Sequence, residues 1–261
     1  MTATARLGWI SSVAAVRSEG VRFWSLRAPA VLVVAVVVVT GAFAALMAFA
    51  QARQWDGGAF DPARVSLAGI MMTQIAAGAL GVLAFTTETA SGTIRSTLAA
   101  IPRRSRVLTA KIVTVGLAAM AAGIVAAFTA FLIARPVLRT QGAPVAALTD
   151  PGVFRAVLGA AFYLTAAALV GLALGVLTGS TAASLSIMTG VLLIVPIFIP
   201  TLPAGLARWA MKYWPSTAGL RVTATAHDPA LLAPWAGFAV LAATTATLLA
   251  VAFLALHRRD V

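Results

Sequence analysis

The sequence predicts an all-α membrane protein with six transmembrane helices, and three observations support this class. The chain has 261 residues, of which only 10% are charged, whereas about a quarter of a soluble domain is charged. Its mean hydropathy is +0.98. Six windows without a charged residue are close to the roughly 20 residues that a helix needs to cross the hydrocarbon. These windows, numbered spans 1 to 6, are Ala30–Ala50, Val65–Phe85, Ile112–Ala134, Ala156–Thr178, Ala182–Pro200 and Ala233–Leu256.

The charge of the chain predicts contact with lipid rather than with nucleic acid. Basic patches bind nucleic acids, and the net charge is +12. Here, however, the bases lie in short segments between apolar runs, where they are typical of topology signals and of contacts with anionic headgroups. We therefore expect membrane lipids, and no nucleic acid, among the partners. Cysteine is absent, which excludes disulfides and cysteine metal sites.

The segment before span 1 predicts an amphipathic helix over residues 6–27. Apolar or small residues recur there at helical spacing, while serine and arginine occupy much of the rest. The recurring residues are Trp9, Val13, Val16, Gly20 and Trp24. Such a helix lies in the membrane interface, with its indoles at the level of the headgroups. The alternative is a disordered basic leader.

Lysine and arginine predict the orientation of the spans, because short cytoplasmic loops are enriched in both residues. Eleven of the 19 basic residues lie before span 1, between spans 2 and 3, or after span 6. The other eight lie on the opposite side. Both termini and the loop between spans 2 and 3 are therefore predicted to be cytoplasmic, in a multi-pass protein of the plasma membrane.

Span 4 contains a stripe of glycines one helical turn apart, at Gly171, Gly175 and Gly179. A stripe of small residues lets two helix backbones approach closely. We expect this stripe to pack within the bundle, and an interface between two subunits is the alternative.

Span 5 is predicted to break near its outer end. Pro196 has no amide hydrogen and its ring clashes with the carbonyl group of Leu192, so a kink is expected. After Pro203, apolar and basic residues separate onto different faces of a short helix that ends at Trp214-Pro215. The external hairpin between spans 5 and 6 is therefore predicted to be broken. Its short helix is either an interfacial turn or a lid over an exit path.

The spans contain no visible machinery for ion coupling or catalysis. Charged side chains inside a membrane usually mark ion pathways, but the six windows contain none, and Gln74 is their most polar side chain. The two histidines, His227 and His257, lie outside the windows and far apart, so no metal site is visible. A phosphate-binding loop of the G-x-x-x-x-G-K-S/T type is also absent. We therefore predict a non-enzyme without a cofactor, whose energy comes from a partner.

The segment between spans 2 and 3 has the densest charge in the chain. Ile94, Leu98 and Ile101 recur at helical spacing before Pro102 and predict a short helix with one apolar ridge. Arg95 lies off that ridge. A short helix of this kind is typical of segments that enter a groove on another protein. The remaining bases are predicted to hold the loop and span 3 at the headgroups, and they are Arg103, Arg104, Arg106 and Lys111.

These residues resemble a family signature, that of the type-2 (export-class) ABC transporter permeases. The family pattern reads E…G-T-x-R…L…P-x-x-R…K. The matching residues are Glu88, Gly92-Thr93-Ile94-Arg95, Leu98, Pro102-Arg103-Arg104 and Lys111. Residues 213–219, which read Tyr-Trp-Pro-Ser-Thr-Ala-Gly, are similar to the aromatic-x-P-S-x-A-G segment of the same family. The chain departs from the family at residues 179–182, which read Gly-Ser-Thr-Ala and lack the arginine often found there.

The resemblance implies a single permease domain over residues 1–261, with residues 88–104 as a coupling helix that docks on an ATPase. It further implies that two ATPase subunits, which hold ATP and Mg²⁺, act on two permease chains in a homodimer or a heterodimer. Glu88 is expected to orient the loop or to pair with a base. The full set of expected docking residues is Glu88, Gly92, Thr93, Ile94, Arg95 and Leu98.

The expected cargo is lipophilic or amphiphilic, such as a drug, a lipid or a peptide, because apolar and hydroxyl side chains dominate the spans. The role could then be resistance, immunity or secretion. A different class of function is the alternative, namely a non-transporting membrane scaffold or sensor that binds a cytoplasmic partner through the same loop.

Overall fold

The computed structural model describes residues 20–21, 27–90, 104–226 and 228–258, and these are largely helical. Six helices there are long and apolar enough to cross a membrane, so the all-α, six-span prediction is confirmed. They are α1 (Arg27–Arg53), α2 (Ile70–Ala90), α3 (Arg104–Thr140), α4 (Val153–Thr178), α5 (Thr181–Thr201) and α6 (Pro234–Arg258). Most of the predicted amphipathic helix, and the coupling helix between spans 2 and 3, lie outside the described residues.

Helices α2 and α3 do not begin and end where the charge-free windows do. Residues Pro62–Ser66 form a separate short helix whose N-terminal cap is Asp61, so α2 begins only at Ile70. At its other end α2 continues to Ala90 and includes Glu88. Helix α3 begins at Arg104 and includes Lys111. The charge-free windows therefore miss the last turn of α2 and the first turns of α3, because both contain charged residues.

The two ends of the bundle are distinguished by which residues cluster there. At the proximal end, where α1 begins and α6 ends, Leu32, Phe85, Leu108 and Leu256 belong to one apolar cluster. The distal end is the opposite one, where Ala48 of α1 and Leu138 of α3 share another cluster. The charge distribution predicts that the proximal end faces the cytoplasm.

Helix α4 lies at the centre of the bundle. Within its most apolar segment 78% of the residues are buried, against 22% for α1, 28% for α5 and 22% for α6. Helix α4 packs against α2, α3 and α6, while α1 packs mainly on α3. The outer helices keep large apolar side chains on the surface, such as Val34 and Val38 of α1 and Ile194 and Phe198 of α5. Those surfaces are suited to lipid or to a second subunit.

Glycines bring α2 and α4 into close contact. A Cβ atom on Gly171 would collide with the carbonyl oxygen of Gly78, and one on Gly175 would lie 3.1 Å from the carbonyl oxygen of Val82. Gly81 faces α4 in the same way. Gly179 has a different role. It ends α4 with φ +67°, and a Cβ atom added there would meet no neighbouring heavy atom within 4 Å. That left-handed conformation is the usual use of glycine after a helix.

We expect Gly171→Ala to lower the free energy of unfolding by about 1–3 kcal/mol, because overpacking forces two backbones apart. Gly116→Ala is the matched control, since Gly116 lies inside α3 and a Cβ there would meet nothing within 4 Å. That change is expected to stabilise by about 0.5–1 kcal/mol. Unfolding in mixed micelles of SDS and mild detergent, followed by tryptophan fluorescence, measures both. Equal effects of the two substitutions would contradict the close α2–α4 contact.

The chain folds back on itself at the distal end between α5 and α6. The short helix predicted after Pro203 is present as Ala204–Tyr213, and Pro215–Leu220 forms a second helix that packs on α6. Arg155 of α4 donates to the carbonyl oxygens of Val222 at 3.0 Å and Ala224 at 2.9 Å. These contacts attach the returning segment to the central helix.

Candidate functional site

A buried ion pair joins the proximal ends of α2 and α3. The Nζ of Lys111 donates to Glu88 Oε1 at 2.5 Å and to the carbonyl oxygen of Ala84 at 3.0 Å. Lys111 is 2% exposed and Glu88 is 6% exposed. Glutamate and lysine are almost never fully buried unless they are paired. Within the described part of the chain this is the one ion pair closer than 4.0 Å.

The pair lies where α2 ends and α3 begins, on either side of residues 91–103. Glu88 lies three residues before the first undescribed residue of that segment, and Lys111 lies in the first three turns of α3. Residues 91–103 are thus flanked by two helices that are held together by charge at their junction. A displacement of the segment therefore acts on α2 and α3 together, because the pair resists their separation.

The structure describes only some of the residues predicted for this site. It brings Glu88 and Lys111 together. Glu88 therefore pairs with a base, which is one of the two roles expected for it. Lys111 lies in the interior rather than at the headgroups, because Glu88 gives its ammonium group a partner there. Arg106 is half-buried, and Arg104 begins α3. The predicted residues that lie outside the described ranges are Gly92, Thr93, Ile94, Arg95, Leu98 and Arg103.

The turn between α4 and α5 lies beside the ion pair. The side chain of Ser180 caps α5 by accepting from the amide of Ala183 at 3.4 Å. The hydroxyl of Thr181 donates to Thr86 Oγ1 at 2.7 Å, two residues before Glu88 on α2. The turn between α4 and α5 is therefore hydrogen-bonded to the same end of α2 that carries Glu88.

A second polar contact lies in the interior of the spans and was not predicted. Gln74 of α2 is fully buried, and its Oε1 accepts from the hydroxyl of Tyr163 on α4 at 2.5 Å. Its Nε2 donates to the carbonyl oxygens of Met71 at 2.7 Å and Leu192 at 3.1 Å. One amide side chain thus connects α2, α4 and α5.

The contact with Leu192 lies at an irregular turn of α5. In a regular helix the donor to the Leu192 carbonyl is the amide of residue 196, which here is proline and has no hydrogen. Residues Gly190–Ile194 are π-helical, and the amide of Val195 donates to the carbonyl of Gly190. The neighbouring carbonyl of Val191 accepts from Trp214 Nε1 at 2.8 Å. Two side chains from outside α5 therefore donate hydrogen bonds to backbone carbonyl groups in its irregular turn.

Among the described residues, no group of three or more histidine, aspartate or glutamate side chains is placed to hold a metal ion. The sequence indicated Gln74 as the most polar residue of the spans and Pro196 as a helix break. It did not indicate that Gln74 bonds to the turn of α5 that precedes Pro196.

Comparison with known proteins gives no relative for this chain. No protein-family model matches it, and no curated protein matches its sequence. Its function is therefore inferred from its own residues and contacts.

Proposed function

We propose that this chain is the membrane-spanning permease subunit of an ATP-driven exporter of the ABC type. The observation that carries the proposal is the buried pair of Glu88 and Lys111, which holds together the two helices that flank residues 91–103. An ATPase that moves this segment would otherwise displace a loop alone. Because the flanking helices are joined, the same movement tilts α2 and α3 together.

The packing of the bundle supports onward transmission of that movement. Helix α2 is in glycine-mediated contact with the central α4, and Gln74 connects it to α5. Rigid elements in direct contact are what carries coupling between distant sites. The outer helices α1, α5 and α6 have the exposed apolar surfaces that a second permease chain and a lipophilic or amphiphilic cargo require.

The proposed assembly contains two permease chains, as a homodimer or a heterodimer, and two ATPase subunits. ATP and Mg²⁺ are held by the ATPases, and this chain contributes no nucleotide site. Its proximal end and both termini face the cytoplasm of a cell whose plasma membrane it crosses. Export then consists of a change in which side of the membrane the pathway between the two permeases faces.

Reversal of charge and polarity in the coupling segment is expected to abolish docking. We expect Arg95→Glu combined with Leu98→Asp to weaken association with the partner ATPase by at least about tenfold, since anchor residues dominate interface energy. Export should fall in parallel. Arg208→Glu is the control, because Arg208 is exposed in the distal helix Ala204–Tyr213.

Co-purification and ATP-dependent export assays separate the outcomes. Undiminished association and export in the double variant would show that this segment is not the docking element. A different pair of results would indicate the scaffold or sensor function. In that case the wild-type complex shows no ATP-dependent transport, and the double variant still loses association with the partner.

A further inference from the structure

A cavity of about 300 Å³ opens at the distal end of the bundle, between α2, α5 and the segment that returns from α5 to α6. This volume is at the lower end of the roughly 300–1,000 Å³ typical of small-molecule sites. The residues that matter for its chemistry are Arg64, Met71, Leu192, Pro196, Ser216 and Arg221. It is separate from the coupling segment, which lies at the opposite end.

The shallow end of the cavity is basic. Arg64 and Arg221 both line it, and within the described ranges neither lies within 4.0 Å of a carboxylate oxygen. The buried Nε of Arg221 has no hydrogen-bond partner. Burial lowers the pKa of Arg221, and repulsion from the charge of Arg64 lowers it further. Two guanidinium groups thus share one cavity without a direct counter-ion.

The nearby carboxylates of Asp61 and Asp228 attract Arg221, but within the described ranges neither forms an ion pair with it closer than 4.0 Å. Asp61 Oδ1 accepts from the amide of Arg64 at 3.0 Å and the hydroxyl of Thr225 at 2.7 Å. Its Oδ2 accepts from the amides of Thr225 at 2.9 Å and Ala226 at 3.0 Å. Burial alone would raise the pKa of Asp61, but these bonds lower it, so the group stays ionised and saturated. Asp228 accepts from the amide of Ala230 at 2.9 Å.

Ser216 adds a second unsatisfied group. It is 1% exposed, it lines the cavity, and its hydroxyl has no hydrogen-bond partner. Buried polar groups are nearly always hydrogen-bonded, and an exception calls for a ligand or a water molecule. The lining of the cavity therefore includes a hydroxyl and two guanidinium groups that can donate to an acceptor.

The deep end of the cavity is apolar. Met71, Leu192 and Pro196 line it, and Leu192 lies about 16 Å along α5 from the helix start at a rise of 1.5 Å per residue. That position is near the middle of a span, so the cavity extends from headgroup level into the hydrocarbon. Pro200 and Met211 are exposed at its rim, where a longer chain can leave towards the lipid.

We propose that this cavity binds an amphiphile that carries a phosphate group, with the phosphate on Arg64, Arg221 and Ser216 and an acyl chain along Met71 and Leu192. Guanidinium groups match phosphate oxygens in geometry and charge. An apolar cavity excludes competing water, which strengthens that contact. The site lies within one chain, so it does not depend on the exporter function.

Native mass spectrometry of the purified chain tests this proposal with dioleoylphosphatidylglycerol, with dioleoylphosphatidylcholine and with inorganic phosphate. We expect the anionic lipid to bind at least about tenfold more tightly than the zwitterionic one, and Arg221→Gln and Arg64→Gln each to remove that preference. Arg208→Gln is the matched control, because Arg208 is distal, exposed and outside the cavity. It should leave the preference unchanged.

Three results would overturn the proposal. The first is an equal affinity for the two lipids. The second is a loss of preference in Arg208→Gln as large as in the cavity variants, which would indicate attraction to surface charge. The third is displacement of the lipid by millimolar inorganic phosphate, which would indicate a site for the free ion. Far-UV circular dichroism and size exclusion confirm that each variant is folded, and Ser216→Ala provides a variant without a charge change.

Discussion

Glu88→Gln is expected to destabilise the chain by about 3–5 kcal/mol, because it removes the carboxylate that pairs with the buried ammonium group of Lys111. The substitution keeps the shape of the side chain, so packing changes little. Lys111→Met is expected to have an effect of similar size, since it removes the ammonium group that pairs with the buried Glu88 carboxylate. The free energy of unfolding in mixed micelles measures both variants.

The double variant Glu88→Gln, Lys111→Met is the decisive measurement. It removes both charges of the pair, and replacement of a complete buried pair by neutral groups is often harmless. We therefore expect it to recover most of the loss seen in either single variant. Thr87→Val is the control, because the Thr87 hydroxyl bonds only to Leu83 of its own helix at 2.7 Å, which limits its effect to about 1 kcal/mol. Strictly additive single effects would show that the two residues do not interact.

The course of the spans was predictable because length and hydropathy are local properties. The ends of α2 and α3 were not, since a charge reads as the end of a span unless its partner is known. Glu88 and Lys111 are 23 positions apart, and each alone is typical of a headgroup position. Gly179 illustrates the same limit, because its spacing is that of the packing glycines while its position at the end of α4 requires a left-handed backbone.

The distal cavity was beyond prediction for a related reason. Arg64 and Arg221 lie in different loops, and each alone counts as an ordinary topology signal. Only the return of the chain after α5, fixed by Asp61 and Arg155, places them in one cavity. The docking role of residues 92–98 depends on a local motif instead, and it stays a prediction.

Gln74→Leu is expected to have the second large effect. It strands the buried hydroxyl of Tyr163 and removes the side-chain donor to the carbonyl of Leu192. Each buried polar group left unsatisfied costs about 1–3 kcal/mol. Thr247→Val is the control, because the exposed Thr247 bonds only to the carbonyl of Ala243 in its own helix. The free energy of unfolding in mixed micelles is again the measurement.

Two second-site substitutions separate the two stranded groups. Tyr163→Phe removes the hydroxyl, so in the Gln74→Leu background it should cost less than it does in the wild type. Pro196→Ala restores an amide hydrogen four residues after Leu192, so the helix can satisfy that carbonyl itself. We expect Pro196→Ala to stabilise the Gln74→Leu variant by more than it stabilises the wild type, in which Gln74 already supplies the donor.

The sign of that coupling decides why α5 is irregular. If Pro196→Ala has the same effect in both backgrounds, the bond from Gln74 to Leu192 does not compensate for the missing amide. If the coupling is favourable, the irregular turn at Gly190–Ile194 is stabilised because Gln74, 122 positions before Pro196, donates to the Leu192 carbonyl in place of the amide hydrogen that proline lacks. In that case α5 is attached to α2 at its irregular turn, and a tilt of α2 would bend α5 at that point.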